Sequence, residues 1–397
     1  MDLSLCMIVK NEEASLPQAL SSVKGIVDEM VILDTGSSDR TVEIAREFGA
    51  KVYHFEWCND FSAARNEALN YVQGKWVLVL DADEVLTPEI VAKLKQAMKR
   101  DSHLVINLVR QEVGASQSPY SLVSRLFRNH PKIRFSRPYH AMVDDSVQAL
   151  LQQETHWQVV SLSPVAIKHY GYQPKAIAAL DKYTRAQTAM EGFLASHPND
   201  SYACSKLGAL YIQLGQVSEG IELLKRGLTS TGIAPPVLFE LHYHLGNAYT
   251  RLKNLDAAVV HYQAAIGQPI LPQMKLGAYN NLGNLLFSVG ELTTAKTAYE
   301  TTLKIDPSFA AGHNHLGMTH KALGKLEEAI ASYQNAIQLN PDYADAHQNL
   351  GVVLLKIGKV PESLSAFKKA IALHEKHDNP TEAQRLRKGL QDMGFQI

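Results

Sequence analysis

Apolar residues in the first hundred positions come in short unbroken runs, separated by stretches of helical spacing. The runs are Leu3 to Val9, Met30 to Leu33 and Trp76 to Leu80. Runs without interleaved polar residues suit central strands covered on both faces. Between them Ala14 to Val23, Asp39 to Phe48, Phe61 to Tyr71 and Pro88 to Met98 read as helices, and Lys51 to Phe55 as a further strand. This alternation predicts an α/β domain with a mostly parallel sheet, a Rossmann-type sandwich. From His103 to His169 the pattern loses regularity, with strand-like pieces such as Leu104 to Val109 and Val159 to Ile167 among loops. Pro174 to Ser196 reads as a linking helix, which puts the border between the two halves between Gln173 and Asp200.

The C-terminal half is repetitive. Leu-Gly pairs occur at Leu207-Gly208, Leu245-Gly246, Leu282-Gly283, Leu316-Gly317 and Leu350-Gly351, and the last three glycines recur every 34 residues. Twelve residues after each glycine stands a small residue: Gly220, Ala258, Ala295, Ala329 or Ser363. Four further on comes a large one: Leu224, Tyr262, Tyr299, Tyr333 or Phe367. Small residues let paired helices approach and large ones fill the space between units. The pattern resembles the tetratricopeptide repeat, two antiparallel helices per unit, and implies an all-α superhelix of five repeats over residues 201–377. Thr381 to Met393 reads as a capping helix, within a final segment 378–397.

Composition narrows the class without naming the chemistry. The 397 residues carry a formal net charge of -1, which excludes bulk attraction to nucleic acid or an anionic membrane. Cys6, Cys58 and Cys204 are too few and too scattered for a disulfide framework or a zinc cluster. With no apolar stretch long enough to span a bilayer and no charged leader pattern at Met1-Asp2, a soluble cytoplasmic protein is expected.

In open α/β sheets, ligands bind beyond the carboxyl ends of the strands. Three polar clusters follow the three strong runs: Lys10 to Glu13, Asp34 to Asp39, and Asp81 to Glu84. The pair Asp81 and Asp83 offers oxygen ligands suited to Mg²⁺ or Mn²⁺, although Asp-x-Asp also occurs as a plain turn, with Thr87 and Pro88 opening the next helix. Gly36 supplies a turn and Asp39 a helix cap, while Asp34 is left for a ligand. No glycine-rich dinucleotide or P-loop motif is present.

Four stretches in order give the chain a family likeness: Cys6-Met7-Ile8-Val9-Lys10-Asn11-Glu12-Glu13, Val31 to Thr41, Asp60-Phe61-Ser62-Ala63-Ala64-Arg65-Asn66, and Leu78 to Glu84. Together they resemble family 2 glycosyltransferases of the A-type nucleotide-sugar (GT-A) fold, a subgroup of which carries tetratricopeptide repeats. The resemblance extends to about Tyr172 and implies a catalytic domain over residues 1–172, with 173–200 as a link. It implies a nucleotide-sugar donor, a UDP-sugar by analogy, a Mn²⁺ or Mg²⁺ cofactor and inversion at the anomeric carbon. By the same likeness Asp34 would accept a hydrogen bond from uracil and Glu12 would lie by the nucleoside. Arg65 would contact base or phosphate, Asp81 the ribose, and Asp83 the cation. His169 is similar to a late histidine of the subgroup and joins Asp83 as a metal-ligand candidate. In the segment ending Arg137-Pro138-Tyr139-His140 the subgroup has an acidic residue after the histidine, where this chain has Ala141. The base that takes the acceptor proton is therefore sought among Asp144, Asp145 and Glu84, with His140 lining the sugar pocket.

Two further functions compete with a transferase. Ala141 fits an inactive domain carried by a repeat scaffold for protein partners. A phosphohydrolase would need its aspartate after the first strand, where Lys10-Asn11 stands. The repeats suggest a protein or peptide acceptor and leave a homo-oligomer open. Asn247, Asn280, Asn281, Asn284, Asn314 and Asn349 fall on first helices of the repeats, either as grips for an extended peptide or as ordinary solvated residues.

Overall fold

A computed structural model describes residues 1–115, 118–171 and 176–395, with side chains from Tyr183 onward in the last segment. The expected domain border at 172–173 and the start of the linking helix at Pro174 lie outside the described residues. By contacts the chain forms two compact units. One comprises residues 1–115 and 119–237, and the other begins at Leu238.

The first unit opens with β1 (Leu3–Val9), α1 (Leu16–Val23), β2 (Glu29–Asp34), α2 (Thr41–Glu47), β3 (Lys51–His54), α3 (Phe61–Leu69) and β4 (Trp76–Val79). There follow β5 (Glu84–Leu86), α4 (Val91–Met98), β6 (His103–Glu112), β7 (Tyr120–Arg128), α5 (Asp144–Gln153) and β8 (Gln158–His169). The eight strands form one sheet in the order β3-β2-β1-β4-β7-β6-β8-β5. The β3-β2-β1-β4 half is parallel, as the apolar runs predict, and β6 runs parallel to β8. The pairings of β7 with β4 and β6, and of β5 with β8, are antiparallel, so the sheet is mixed.

Side-chain alternation along β1 explains why that strand reads as uniformly apolar. Leu3, Leu5, Met7 and Val9 enter one core with Leu16, Leu20 and Val23 of α1. Cys6 enters the core on the other face with Ala64 and Ala68 of α3 and Val147 of α5. The irregular stretch from His103 to His169 proves to be three long strands and the helix α5, rather than short pieces among loops. Its strands are half exposed, so their apolar runs are broken.

The helical part of the chain comprises α6 (Ala176–Ser196), α7 (Ser201–Gln213), α8 (Val217–Gly227), α9 (Pro235–Arg251), α10 (Leu255–Ile266), α11 (Leu276–Ser288) and α12 (Leu292–Ile305). It continues with α13 (Ala310–Ala322), α14 (Leu326–Leu339), α15 (Ala344–Lys356), α16 (Val360–Lys376) and α17 (Pro380–Asp392). Each Leu-Gly glycine faces the large residue of its own repeat. A Cβ at Gly283 would lie 2.6 Å from the Tyr299 ring, and Gly246 and Gly317 stand equally close to Tyr262 and Tyr333. The asparagines divide: Asn280 and Asn314 are buried, Asn247, Asn281 and Asn349 are partly buried, and Asn284 is exposed. Asn281 donates to Asn247 at 2.9 Å, Asn349 donates to Asn314 at 3.1 Å, and Asn280 bonds His315 at 2.8 Å. These amides bridge successive repeats, which is where their hydrogen-bonding capacity goes.

Candidate functional site

Parallel register brings the polar clusters to one edge. Val9 lies opposite Asp34, and Cys6 opposite Val79, so the segments after β1, β2 and β4 emerge side by side. The first two are laced together. Ser38 N donates to Asn11 Oδ1 at 2.8 Å, and Glu12 N donates to Thr41 Oγ1 at 2.7 Å. Asp34 is 3% exposed and closes its own turn, accepting from Gly36 N at 3.2 Å and Ser37 N at 3.1 Å, with His54 Nδ1 3.3 Å away. Gly36 takes φ +100, a backbone open to glycine, so the predicted turn is present. Asp39 does not cap α2, whose N-cap is Arg40 without a side-chain cap; its carboxylate instead accepts from Thr41 N at 3.0 Å in the turn that precedes the helix. Thr87 does not cap with its hydroxyl, which donates instead to Val165 O at 2.8 Å.

Asp60 caps α3, accepting from Ser62 N and Ala63 N, and so aims Arg65 inward one turn later. Arg65 Nη2 donates to Asp81 Oδ1 at 2.7 Å. Arg125, to which the motifs of the chain assign no role, donates through Nη2 to Asp81 Oδ2 at 2.8 Å. Both carboxylate oxygens of Asp81 are thereby engaged. Burial opposes the charge of Asp81, but the two guanidinium groups hold its carboxyl well below the usual range. Arg65 itself is depressed, because burial and the nearby Arg125 charge outweigh Asp81. Its Nε and Nη1 are buried without a hydrogen-bond partner among the described residues.

Glu84 is wholly buried. It accepts from Arg110 Nη1 at 2.9 Å and from Asp81 N at 2.9 Å. Glu84 and Glu112 both stand opposite His169 in the sheet, which brings Asp83 beside the same ring. His169 Nε2 lies 3.1 Å from Asp83 Oδ2, and its Nδ1 bonds Glu112. Burial works against a charged ring, yet these carboxylates raise its pKa to about 10. The two metal-ligand candidates are thus adjacent, and Glu112 orients the histidine from behind, as carboxylates do behind metal-bound imidazoles. A Cβ at Gly171 would collide with Asp83 Oδ2 and fall 2.7 Å from His169 Nε2, so a larger residue there would push this pair aside. Asp83 and His169 form an ion pair in this arrangement, and Asp81 is engaged by arginines; among the described residues no group of three or more potential metal ligands gathers.

Glu12 has its pKa raised by burial and by the negative charges of Asp83, Asp39 and Asp81, partly offset by Ser15. The edge thus holds excess negative charge at Glu12 and Asp83 beside the buried positive charge of Arg65 and Arg125. The acceptor-side candidates follow β7. His140 is exposed at φ 53, edge-on to Tyr139. Ala141 packs against the apolar cluster around Phe135 and Val143. Asp144 accepts from Ser124 Oγ at 3.0 Å, and burial raises its pKa. Asp145 is paired with Arg137 at 2.6 Å. Arg125, Arg110 and Glu112 have no role in the sequence reading; β7 and the end of β6, which carry them, are only partly buried and show no apolar run that would mark their charges as inward.

The sequence model of Glycosyl transferase family 2 matches residues 4–160, and two tetratricopeptide-repeat models match 239–268 with 276–309, and 319–358. A TPR repeat-containing protein of Synechococcus elongatus is 45% identical over 305 residues, which is 77% of this chain and 76% of that one. The SPbeta prophage-derived glycosyltransferase SunS of Bacillus subtilis is 26% identical over 56% of this chain, which spans about half (52%) of that protein. An uncharacterized glycosyltransferase of Rickettsia bellii is 26% identical over 48% of this chain and 67% of its own length. A solved MamA structure aligns with 45% of this chain and 97% of its own at TM-score 0.40 and 19% identity, too low a score to carry an argument. Residues 4–160 thus form a family 2 glycosyltransferase domain, and tetratricopeptide repeats follow it in the chain.

Proposed function

We propose that the chain moves a sugar from a UDP-sugar to a protein or peptide acceptor, inverting the anomeric centre. The observation that carries this is Arg65, whose buried Nε and Nη1 lack partners among the described residues at the edge where the parallel strands end. Unpaired buried donors cost about 1–3 kcal/mol each, and a diphosphate seated there offsets that cost. Arg125 adds a second positive charge against the departing diphosphate. Asp81 holds both guanidinium groups in orientation and so acts through them, not on the ribose. Glu12 and Asp34 border the nucleoside, with the Asp34 carboxylate fixing the turn that does so. Mn²⁺ or Mg²⁺ would be held by Asp83 and His169 and would supply charge neutralisation for the diphosphate.

Inversion requires one displacement with no covalent enzyme intermediate. The acceptor nucleophile forms its bond to the anomeric carbon as the bond to diphosphate breaks, and its proton passes to a carboxylate. We assign that base to Asp144, half-withdrawn from water, whose pKa burial raises and so makes it a stronger proton acceptor than an exposed aspartate. Glu84 is committed to Arg110, and Asp145 to Arg137. His140, exposed beside Tyr139, lines the acceptor side. The repeats supply the surface for the acceptor chain.

A second reading, an inactive scaffold working through the repeats, is favoured by Ala141 in the place of an acidic residue. Release of nucleoside diphosphate from a panel of UDP-, GDP- and dTDP-sugars separates the two. The transferase reading expects release from UDP-sugars only, falling at least 100-fold in Asp144→Asn. Absence of release from every donor, with and without Mn²⁺, would leave the scaffold.

A further inference from the structure

Two histidines in the second unit face each other across α9 and α10. His242 Nδ1 and His261 Nδ1 are 2.9 Å apart, with ring centroids 5.2 Å apart and planes at 33°. Both side chains are half-buried, and Tyr249 stacks on the His261 ring at 8°. At that separation only one proton fits between the two nitrogens. Burial also holds His242 below the ordinary histidine value, which keeps its ring neutral and able to donate a lone pair.

The other repeats serve as internal controls. Four residues before the Leu-Gly glycine, the position of His242, the fourth and fifth repeats also carry histidine. There the ring is tied to the backbone, with His313 Nε2 donating to Pro307 O and His347 Nε2 to Pro341 O, each at 3.0 Å. Those repeats have Ser332 and Ala366 in the position of His261, and the third has Ala298. Only the second repeat sets a histidine opposite the first one. That pairing adds nothing to the small-against-large packing that holds the unit, in which Gly246 faces Tyr262.

We propose that His242 and His261 form a two-histidine site for a divalent transition metal, copper(II) or nickel(II) ahead of zinc. Imidazole nitrogen suits these ions. With metal–nitrogen bonds of about 2.0–2.1 Å, two nitrogens at a right angle lie about 2.9 Å apart, and at a tetrahedral angle about 3.4 Å. The observed 2.9 Å is the separation that right-angled square-planar copper and nickel need; the rings, aimed at each other in a hydrogen bond, turn to bring both lone pairs onto one ion. The ion replaces the shared proton, water takes the remaining positions, and the tie fixes α9 to α10. The site is separate from Asp83 and His169 and stands whether or not the donor reading does.

The test uses the metal-free full chain titrated calorimetrically with CuCl₂, NiCl₂ and ZnCl₂, with paramagnetic resonance of the copper form. One copper per chain is expected to bind most tightly, with hyperfine splitting from two nitrogens. Affinity should drop at least tenfold in His242→Gln and in His261→Gln, and stay unchanged in His313→Gln and Asp83→Ala. Circular dichroism of each variant checks that the helices remain. Copper binding of equal affinity in the double variant, or a wild-type copper spectrum without two-nitrogen coupling, overturns the proposal.

Discussion

Asp81 sits between two arginines, and each of the three ions depends on the others. Arg125 is 12% exposed and Arg65 9%, so loss of one partner strands charge away from water. Breaking a buried pair in this way costs about 3–5 kcal/mol. Arg125→Met is therefore expected to lower unfolding free energy in urea titration by up to that amount, since Asp81 keeps Arg65, whereas Arg40→Met, with a side chain 70% exposed, should cost far less. His169 gives a pH signature. Its pKa rises from 6.5 to about 10 on folding, so its contribution is present in full below about pH 6.5 and is lost as pH climbs toward 10. Stability measured at pH 6.5 and 9.5 should fall more in wild type than in His169→Gln. Asp83 was legible as a candidate because it follows the apolar run of β4, and His169 through its likeness to a late histidine of the subgroup. Arg125 was not, because its choice of Asp81 follows from β7 lying beside β4, a strand order that no single segment encodes.

At the scale of elements, the Leu-Gly periodicity has a direct steric cause. Each glycine is where a large side chain from the second helix of the same repeat lies against the first, a ring in four repeats and Leu224 in the first. Gly283→Ala would press a methyl into Tyr299 and is expected to cost about 1–3 kcal/mol by overpacking, read as a lower thermal midpoint. The same substitution at Gly389, which has open space, should leave packing undisturbed. The parallel half of the sheet was readable because strands covered on both faces are apolar throughout. The segment from His103 to His169 was not. β7 places Ser124 and Arg125 where an apolar run would have marked a strand, and much of β8 is exposed on one side. Asp144 and Asp145 stand out in the sequence as a possible base, while their other role, acidic residues in the first turn of α5, hid the helix they begin. The asparagines of the repeats likewise read as solvent-facing until the stacking of units gave them partners.

The whole molecule joins a family 2 transferase domain to repeats of the tetratricopeptide type, and among the described residues no helix is long and apolar enough to cross a membrane. The compact unit that holds the sheet runs on to Val237 and so takes in α7 and α8. Asp200, the N-cap of α7, accepts from Arg137 Nη2 at 2.7 Å. Asp200→Ala is thus expected to destabilise the sheet-bearing unit as well as the first repeat, visible as faster amide exchange on both sides of the Arg137 contact. The central claim remains the donor site, and thermal unfolding with UDP, GDP or dTDP, each with and without Mn²⁺, tests it most directly. At about 100 times its dissociation constant a ligand adds roughly 2.7 kcal/mol to the unit that binds it. The account predicts that UDP with Mn²⁺ raises the midpoint, that UDP alone does so far less, and that Asp83→Ala and Arg65→Ala each remove the rise. A wild-type midpoint that no nucleotide moves at saturation would contradict it.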